Sequence, residues 1–152
     1  MKNIMKPVLY LQMTALFLTA GLASSAAADK AVPFKGSIQT AEILDFSGFP
    51  TAVTSSAIGT GNATHLGRFT ATWVVTIDFT APGGAATGSG VYTAANGDSL
   101  FVDLVGHGLP TENPDVISIV DVQTITGGTG RFAGATGSFT REALSNLVTG
   151  LQ

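Results

Sequence analysis

The segment 66–80 constrains the fold most, because apolar and polar side chains alternate along most of its length. A period of two places successive side chains on opposite faces of a β-strand. One face carries Phe69, Ala71, Trp73, Val75, Ile77 and Phe79, and the other carries Arg68, Thr70, Thr72, Thr76 and Asp78. The pattern predicts a strand with one face against a core and the other toward water, as in a β-sandwich or a β-barrel.

Six further runs of strand-forming residues are separated by turn residues, at 34–44, 52–60, 87–94, 99–105, 116–126 and 135–148. Asn96-Gly97 lies between two of these runs and is a two-residue hairpin signal, with positive φ expected at both positions. Charged residues make up only 11% of the chain, which suits strands and turns better than helix surfaces. Seven or eight antiparallel strands are therefore predicted, with no helix after the N-terminal segment.

The N-terminal segment has the pattern of a secretory signal peptide. Lys2 and Lys6 precede a mostly apolar run at 8–23, and small residues follow as far as Ala28. Cleavage after Ala28 leaves a single domain, residues 29–152, in the periplasm or outside the cell, with no expected contact with a membrane. An uncleaved anchor is the alternative, although the run is shorter than the roughly 20 apolar residues that a spanning helix needs.

Charge and cysteine content narrow the classes of partner. The predicted mature chain keeps five basic and all ten acidic residues, so its net charge is 5 − 10 = −5. No basic patch is present, and a nucleic-acid partner is not expected because phosphate binding is largely electrostatic. The chain has no cysteine, which excludes disulfides and thiolate metal sites. An exported domain without disulfides suggests a bacterial source.

Three segments in order resemble a known family: 62–69 (NATHLGRF), 95–98 (ANGD) and 125–137 (ITGGTGRFAGATG). The sequence resembles bacterial proteins with the allene oxide cyclase barrel-like domain over roughly 34–148. The GGTGRF stretch is also similar to the corresponding turn of plant dirigent proteins. The resemblance implies an eight-stranded antiparallel calycin-like barrel with a central cavity for an apolar ligand, and a homo-oligomer. It assigns no catalytic residue in this chain.

The stretch 128–133 matches the dinucleotide-binding pattern G-x-G-x-x-A by spelling. That site needs a helix directly after the glycines and an acidic residue about 20 positions later. The next segment is predicted to be a strand, and no such acidic residue follows. The glycines are therefore interpreted as a tight turn, and no cofactor is predicted.

Three polar residues are candidates for chemistry. His65 shares a face with Phe69 and Trp73 if the strand is unbroken, where an imidazole would orient a ligand or carry a proton. The alternative is a hydrogen-bonded strand entry. Glu42 and Asp121 alternate in phase with apolar neighbours and are candidate interior carboxylates. Arg68 or Arg131 would neutralise one of them in a purely structural ion pair.

Asp103 and His107 share a strand face with Phe101 and Val105. Four residues along a strand span about 13 Å, too far for a direct hydrogen bond. His107 is instead expected at a barrel rim. The two histidines and scattered carboxylates have no spacing typical of metal ligands, so no metal is predicted.

Three functions remain open at this stage. The first is binding of a small apolar molecule in the barrel interior. The second is a cyclase or isomerase that uses His65 and Glu42, and the third is a structural or interaction protein with a filled barrel. An eight-stranded barrel is wide enough either to be packed by side chains or to hold one small ligand. The residues expected to line that interior are Phe69, Trp73, Val75, Phe101 and Val105.

Overall fold

Seven long antiparallel strands follow one another in a single curled sheet. The computed structural model describes residues 9–13, 32–81 and 84–146, with only the backbone described for 9–13. A short strand, β1, pairs with the first long strand. The strands are β1 Leu9–Met13, β2 Gly36–Asp45, β3 Ala52–Ala63, β4 Gly67–Asp78, β5 Ala85–Ala94, β6 Ser99–Pro110, β7 Val116–Gly128 and β8 Gly137–Asn146. A single 3-10 turn, Gly130–Phe132, is the only helical element in the described part of the chain.

Each long strand pairs with its neighbour in sequence, so the sheet from β2 to β8 is an up-and-down meander. It curls into a half-barrel, which confirms the predicted all-β class and antiparallel sheet. Residues 32–146 contribute seven strands, and the closed eight-stranded calycin barrel stays a prediction. The predicted signal peptide, residues 1–28, lies outside the described residues except for β1.

All seven predicted runs are strands, and β6 continues beyond its predicted end at 105 to Pro110. The Asn96-Gly97 hairpin between β5 and β6 is confirmed, but its turn differs from the predicted two-residue type. The Gly97 N–H donates to the Ala94 carbonyl at 2.8 Å, and only Gly97 of the pair has positive φ, at 90°. This matches a three-residue loop that ends in a left-handed residue.

The concave face of the half-barrel is filled by large side chains packed beside small ones. Phe34 and Phe139 have ring centroids 4.8 Å apart, and the Tyr92 ring lies 6.0 Å from that of Phe139. Gly88 and Gly90 face the same side of β5, where a Cβ at Gly90 would lie 3.1 Å from the Trp73 Cβ. The small residues leave room for the aromatic rings across the curl.

Gly106 of β6 is predicted to tolerate no side chain. A Cβ there would lie 2.5 Å from the Asp121 Cβ and 2.6 Å from the Val120 carbonyl oxygen, both on the paired strand β7. We expect Gly106→Ala to lower the free energy of unfolding by about 1–3 kcal/mol, because β6 and β7 must separate to admit the methyl group. Urea denaturation of the variant measures this loss.

Gly108→Ala is the matched control on the same strand. Its Cβ would lie 3.6 Å from Ile117 Cδ1, an ordinary contact, and alanine suits a strand better than glycine. Gly108→Ala is therefore expected to leave stability unchanged or slightly raised. Equal losses in the two variants would contradict the proposed close approach at Gly106.

Candidate functional site

The concave face divides into an apolar wall and a more polar wall. On the three central strands β4, β5 and β6, every buried side chain is apolar apart from the Tyr92 hydroxyl. This apolar wall consists of Phe69, Ala71, Trp73, Val75, Tyr92, Ala94, Leu100, Val102 and Leu104.

Buried polar side chains are confined to the first two and the last two of the seven long strands. Within the described residues, all six of them belong to β2, β3, β7 or β8, among apolar neighbours such as Ile38 and Phe139. This polar wall consists of Thr40, Ser55, Asp121, Gln123, Arg141 and Ser145. The polar groups thus lie on the strands that are farthest in strand order from β5, the middle one of the seven long strands.

Four of the interior groups form one hydrogen-bonded chain, here called the Arg141 network. Arg141 Nε donates to Asp121 Oδ2 at 2.7 Å, and Arg141 Nη2 lies 2.5 Å from the same oxygen. Gln123 Nε2 donates to Asp121 Oδ1 at 2.9 Å, and the Tyr92 hydroxyl donates to Gln123 Oε1 at 2.7 Å. Alternation within β7 and β8 directs the side chains of Asp121, Gln123 and Arg141 inward. The register between the two strands places Asp121 opposite Arg141.

Aromatic rings hold the guanidinium end of this network. Arg141 Cζ lies 4.7 Å from the centroid of the Trp73 ring, a cation–π distance. The Tyr92 ring lies 6.4 Å from Trp73 and 5.4 Å from Phe69. The network thus joins the polar wall to the apolar wall at Trp73 and Tyr92.

Burial raises the pKa of Tyr92 to about 12. The Asp121 carboxylate adds to the increase, whereas the Arg141 charge and the hydrogen bond with Gln123 oppose it. The phenol is therefore neutral at physiological pH and acts as a hydrogen-bond donor. No group of the network is left as a buried polar atom without a partner.

The raised pKa of Tyr92 predicts a loss of stability in strong alkali. The folded state favours the neutral phenol, so this contribution is present below the ordinary value of 10.0 and is lost as pH rises toward about 12. Tyrosinate absorbance during alkaline titration measures it, since cleavage after Ala28 would leave Tyr92 as the single tyrosine. Tyr92→Phe should remove both the absorbance change and this part of the pH dependence. Ionisation near pH 10 with the fold intact would contradict the assignment.

Glu42 is partly buried on β2 and accepts a hydrogen bond from Ser55 Oγ at 2.5 Å. Its side chain therefore points to the same side of the sheet as Ser55, which agrees with the interior position that the sequence predicted. Asp121 is also interior, but its predicted neutralisation by Arg68 or Arg131 is wrong. Its partner is Arg141, 20 residues away on the neighbouring strand. The inward phase of Arg141 with Phe139 and Ala143 was the sequence signal that would have identified it.

The two arginines predicted as partners lie elsewhere. Arg68 is exposed. Arg131 Nε lies 4.0 Å from Asp98, and Arg131 Nη2 donates to the Leu66 carbonyl at 3.2 Å. Neither contributes to the concave face.

Of the two interpretations of His65, the interior position is wrong and the hydrogen-bonded strand entry is the one observed. His65 is exposed in the turn between β3 and β4 with φ of 66°, and its Nε2 lies 3.2 Å from the Pro33 carbonyl oxygen. Thr64 Oγ1 also donates to Pro33, at 3.1 Å. The alternative, a hydrogen-bonded entry to the strand, describes this site better, because the left-handed turn breaks the alternation assumed for His65.

Phe69, Trp73 and Val75 are buried on the concave face, where the sequence placed them. The inward placement of Phe101 and Val105 is wrong, since these side chains are 37% and 62% exposed on the outer face of β6. Both faces of β6 carry large apolar residues, so alternation alone did not identify the inner one. The inner set is Leu100, Val102 and Leu104.

Asp103 and His107 are exposed on the same outer face of β6. Among the described residues, no three histidine or carboxylate side chains are grouped as metal ligands. None of the described helical structure has the length and apolar character to cross a membrane.

Comparison with known proteins returned no match to this chain among family models, curated proteins or solved structures. The resemblance to allene oxide cyclase barrel-like proteins therefore stays a prediction. The concave face and its Arg141 network are the features on which a functional proposal is based.

Proposed function

We propose that the chain is an exported binding protein that holds a small, mostly apolar molecule with one polar group in its concave face. The separation of the apolar wall from the polar wall carries this proposal. Ligand sites are typically lined by apolar and aromatic side chains with a few placed polar groups that fix orientation. The apolar body would lie against β4 to β6, and the polar group would face Glu42 and Ser55.

The Arg141 network supports a functional role for this face. A buried ion pair is often no more stabilising than apolar residues of similar volume, because both charges must lose their hydration. The Arg141 network, which begins beside the Trp73 ring and ends at the Tyr92 hydroxyl, would give the concave face a fixed pattern of hydrogen-bond donors and acceptors. Such groups orient a ligand without movement of the backbone.

A filled barrel with a structural role is the second candidate. Tyr92, Phe139 and Gln123 are each at most 1% exposed, which favours tight packing of this part of the interior. In that case the network would specify a single packing arrangement rather than contact a ligand.

Catalysis of the cyclase or isomerase type would depend on Glu42, the candidate carboxylate at the polar wall. Ser55 donates to one of its oxygens, and in this version the other oxygen would meet the substrate. His65 plays no part in this version, because it lies in an exposed turn.

Native mass spectrometry of the protein, purified from the medium or periplasm of its host, tests the proposal. We expect a reproducible additional mass that is lost on denaturation. The polypeptide mass from the same measurement tests cleavage after Ala28. A bare polypeptide, with fluorescence of the single tryptophan unchanged by a panel of apolar compounds, would favour the filled barrel.

A pair of neighbouring valines supplies the matched variants. Val75→Thr places a hydroxyl in the apolar wall, whereas Val74→Thr places the same hydroxyl on the exposed outer face of β4. Ligand retention should fall only in Val75→Thr. If the bound compound is chemically converted on incubation, Glu42→Gln should abolish conversion while binding persists.

A further inference from the structure

Three phenylalanines are exposed at one end of the half-barrel. Phe46 and Phe49 belong to the turn between β2 and β3 and are 59% and 64% exposed. Phe79 follows β4 and is 49% exposed, and its ring lies 6.3 Å from that of Phe49 in an edge-to-face arrangement. We call Phe46, Phe49 and Phe79 the aromatic tip. Exposed aromatic groups of this kind are typical of interaction surfaces.

The aromatic tip lies in acidic surroundings. In an antiparallel meander, the connections β2–β3, β4–β5 and β6–β7 lie at the same end of the sheet. These connections, at 46–51, 79–84 and 111–115, contain no Lys, Arg or His. Four carboxylates lie in them or at the adjoining strand ends: Asp45, Asp78, Glu112 and Asp115. Hydrogen bonds from Thr80 lower the pKa of Asp78, which is therefore charged at neutral pH.

The opposite end of the sheet is basic. It carries Lys35, Arg68 and Arg131, with the Arg131 charge partly balanced by Asp98. Beside Arg68 is an open depression of about 580 Å³ between β3, β4 and β5. We call it the Arg68 depression, and its lining includes Thr60, Asn62, Arg68, Thr70, Thr93 and Ala95.

We infer that copies of this chain associate head to tail, with the aromatic tip of one copy seated in the Arg68 depression of the next. Burial of the Phe46 and Phe49 rings would supply the apolar contribution, and Arg68 would meet a ring face or a carboxylate of the tip. Opposite charge at the two ends favours this orientation over tip-to-tip contact. The contact is heterologous, so it builds chains or a ring rather than a twofold dimer.

Sedimentation velocity of the purified protein over a range of concentrations and salt tests the inference. We expect association that increases with protein concentration and weakens at high salt, since the charges at both ends are exposed. Phe46→Ser/Phe49→Ser and Arg68→Glu should each weaken self-association by about tenfold or more. Leu144→Ser, a matched loss of an exposed apolar side chain on β8, should leave it unchanged.

Mixing the two variants tests directly whether the aromatic tip binds the Arg68 depression. Phe46→Ser/Phe49→Ser keeps the depression, and Arg68→Glu keeps the tip, so the mixture should form a 1:1 dimer that grows no further. A wild-type protein that is monomeric under all conditions overturns the inference, as does a mixture that stays monomeric. Loss of association in Leu144→Ser also overturns it. A monomer whose tip instead binds a cationic amphipathic peptide would assign the surface to another partner.

Discussion

Asp121→Ala is expected to lower the free energy of unfolding by about 3–5 kcal/mol, the largest effect expected of any charged residue described here. The substitution leaves Arg141, which is 5% exposed, without the carboxylate that accepts its Nε hydrogen bond. It also removes the acceptor of Gln123 Nε2. A buried guanidinium that has lost its carboxylate must either stay poorly solvated or draw water into the interior, and both destabilise the folded state. Urea denaturation measures the change.

Further variants separate this cause from a general effect of losing a carboxylate. Asp103→Ala removes an exposed carboxylate from the neighbouring strand β6 and should change stability by no more than about 0.5 kcal/mol. The double variant Asp121→Ala/Arg141→Met also removes the guanidinium charge that Asp121→Ala leaves without its carboxylate. Its loss should be smaller, by about 0.5–3 kcal/mol, than the sum of the losses in Asp121→Ala and in Arg141→Met measured alone. Additive losses would mean that the two side chains do not act as a pair.

The strands were predictable because each is bounded by residues whose backbone preferences are local. Gly83-Gly84 and Asn96-Gly97 interrupt the strand-forming runs at either end of β5, and alternation identifies the faces of β4 from sequence alone. Local patterns of this kind do not depend on which strands become neighbours. The all-β class and the positions of seven strands followed from them.

The pairing of Asp121 with Arg141 depends on information of another kind. It requires β7 and β8 to be adjacent, and it requires a register that places these two residues opposite each other. The sequence identified Asp121 as an interior carboxylate but offered Arg68 and Arg131 as partners. A charge partner 20 residues away is therefore fixed by topology rather than by local pattern.

The inner face of β6 was ambiguous for a similar reason. Phe101 and Val105 on one face are as apolar as Leu100 and Val102 on the other, so hydrophobicity does not distinguish the two faces. A register shift between Phe101 and Val102 further perturbs the pairing with β7. The interior position of His65 failed for a different reason. The positive φ of His65 ends the alternation on which that prediction depended.

Phe139→Ala is expected to cost about 3–5 kcal/mol of stability, because it removes a ring that fills the concave face. Phe139 is 1% exposed, and its ring contacts both Phe34 and Tyr92. Small residues line much of this face, so neighbouring side chains have few means of filling the space. The cavity would also release the Tyr92 ring, whose hydroxyl binds Gln123. Denaturant unfolding, with intrinsic fluorescence of Trp73 as the probe, measures the loss.

Phe101→Ala is the control: it removes the same ring from the outer face of β6. The Phe101 ring is 37% exposed, so its removal leaves no closed cavity and should cost about 1 kcal/mol or less. The difference between the two variants measures which side of the sheet is the packed interior. Equal costs would mean that the Phe101 ring is buried in the interior as deeply as the Phe139 ring. The outer-face assignment of Phe101 would then fail, and Phe101 would return to the set of interior candidates that alternation alone had left open.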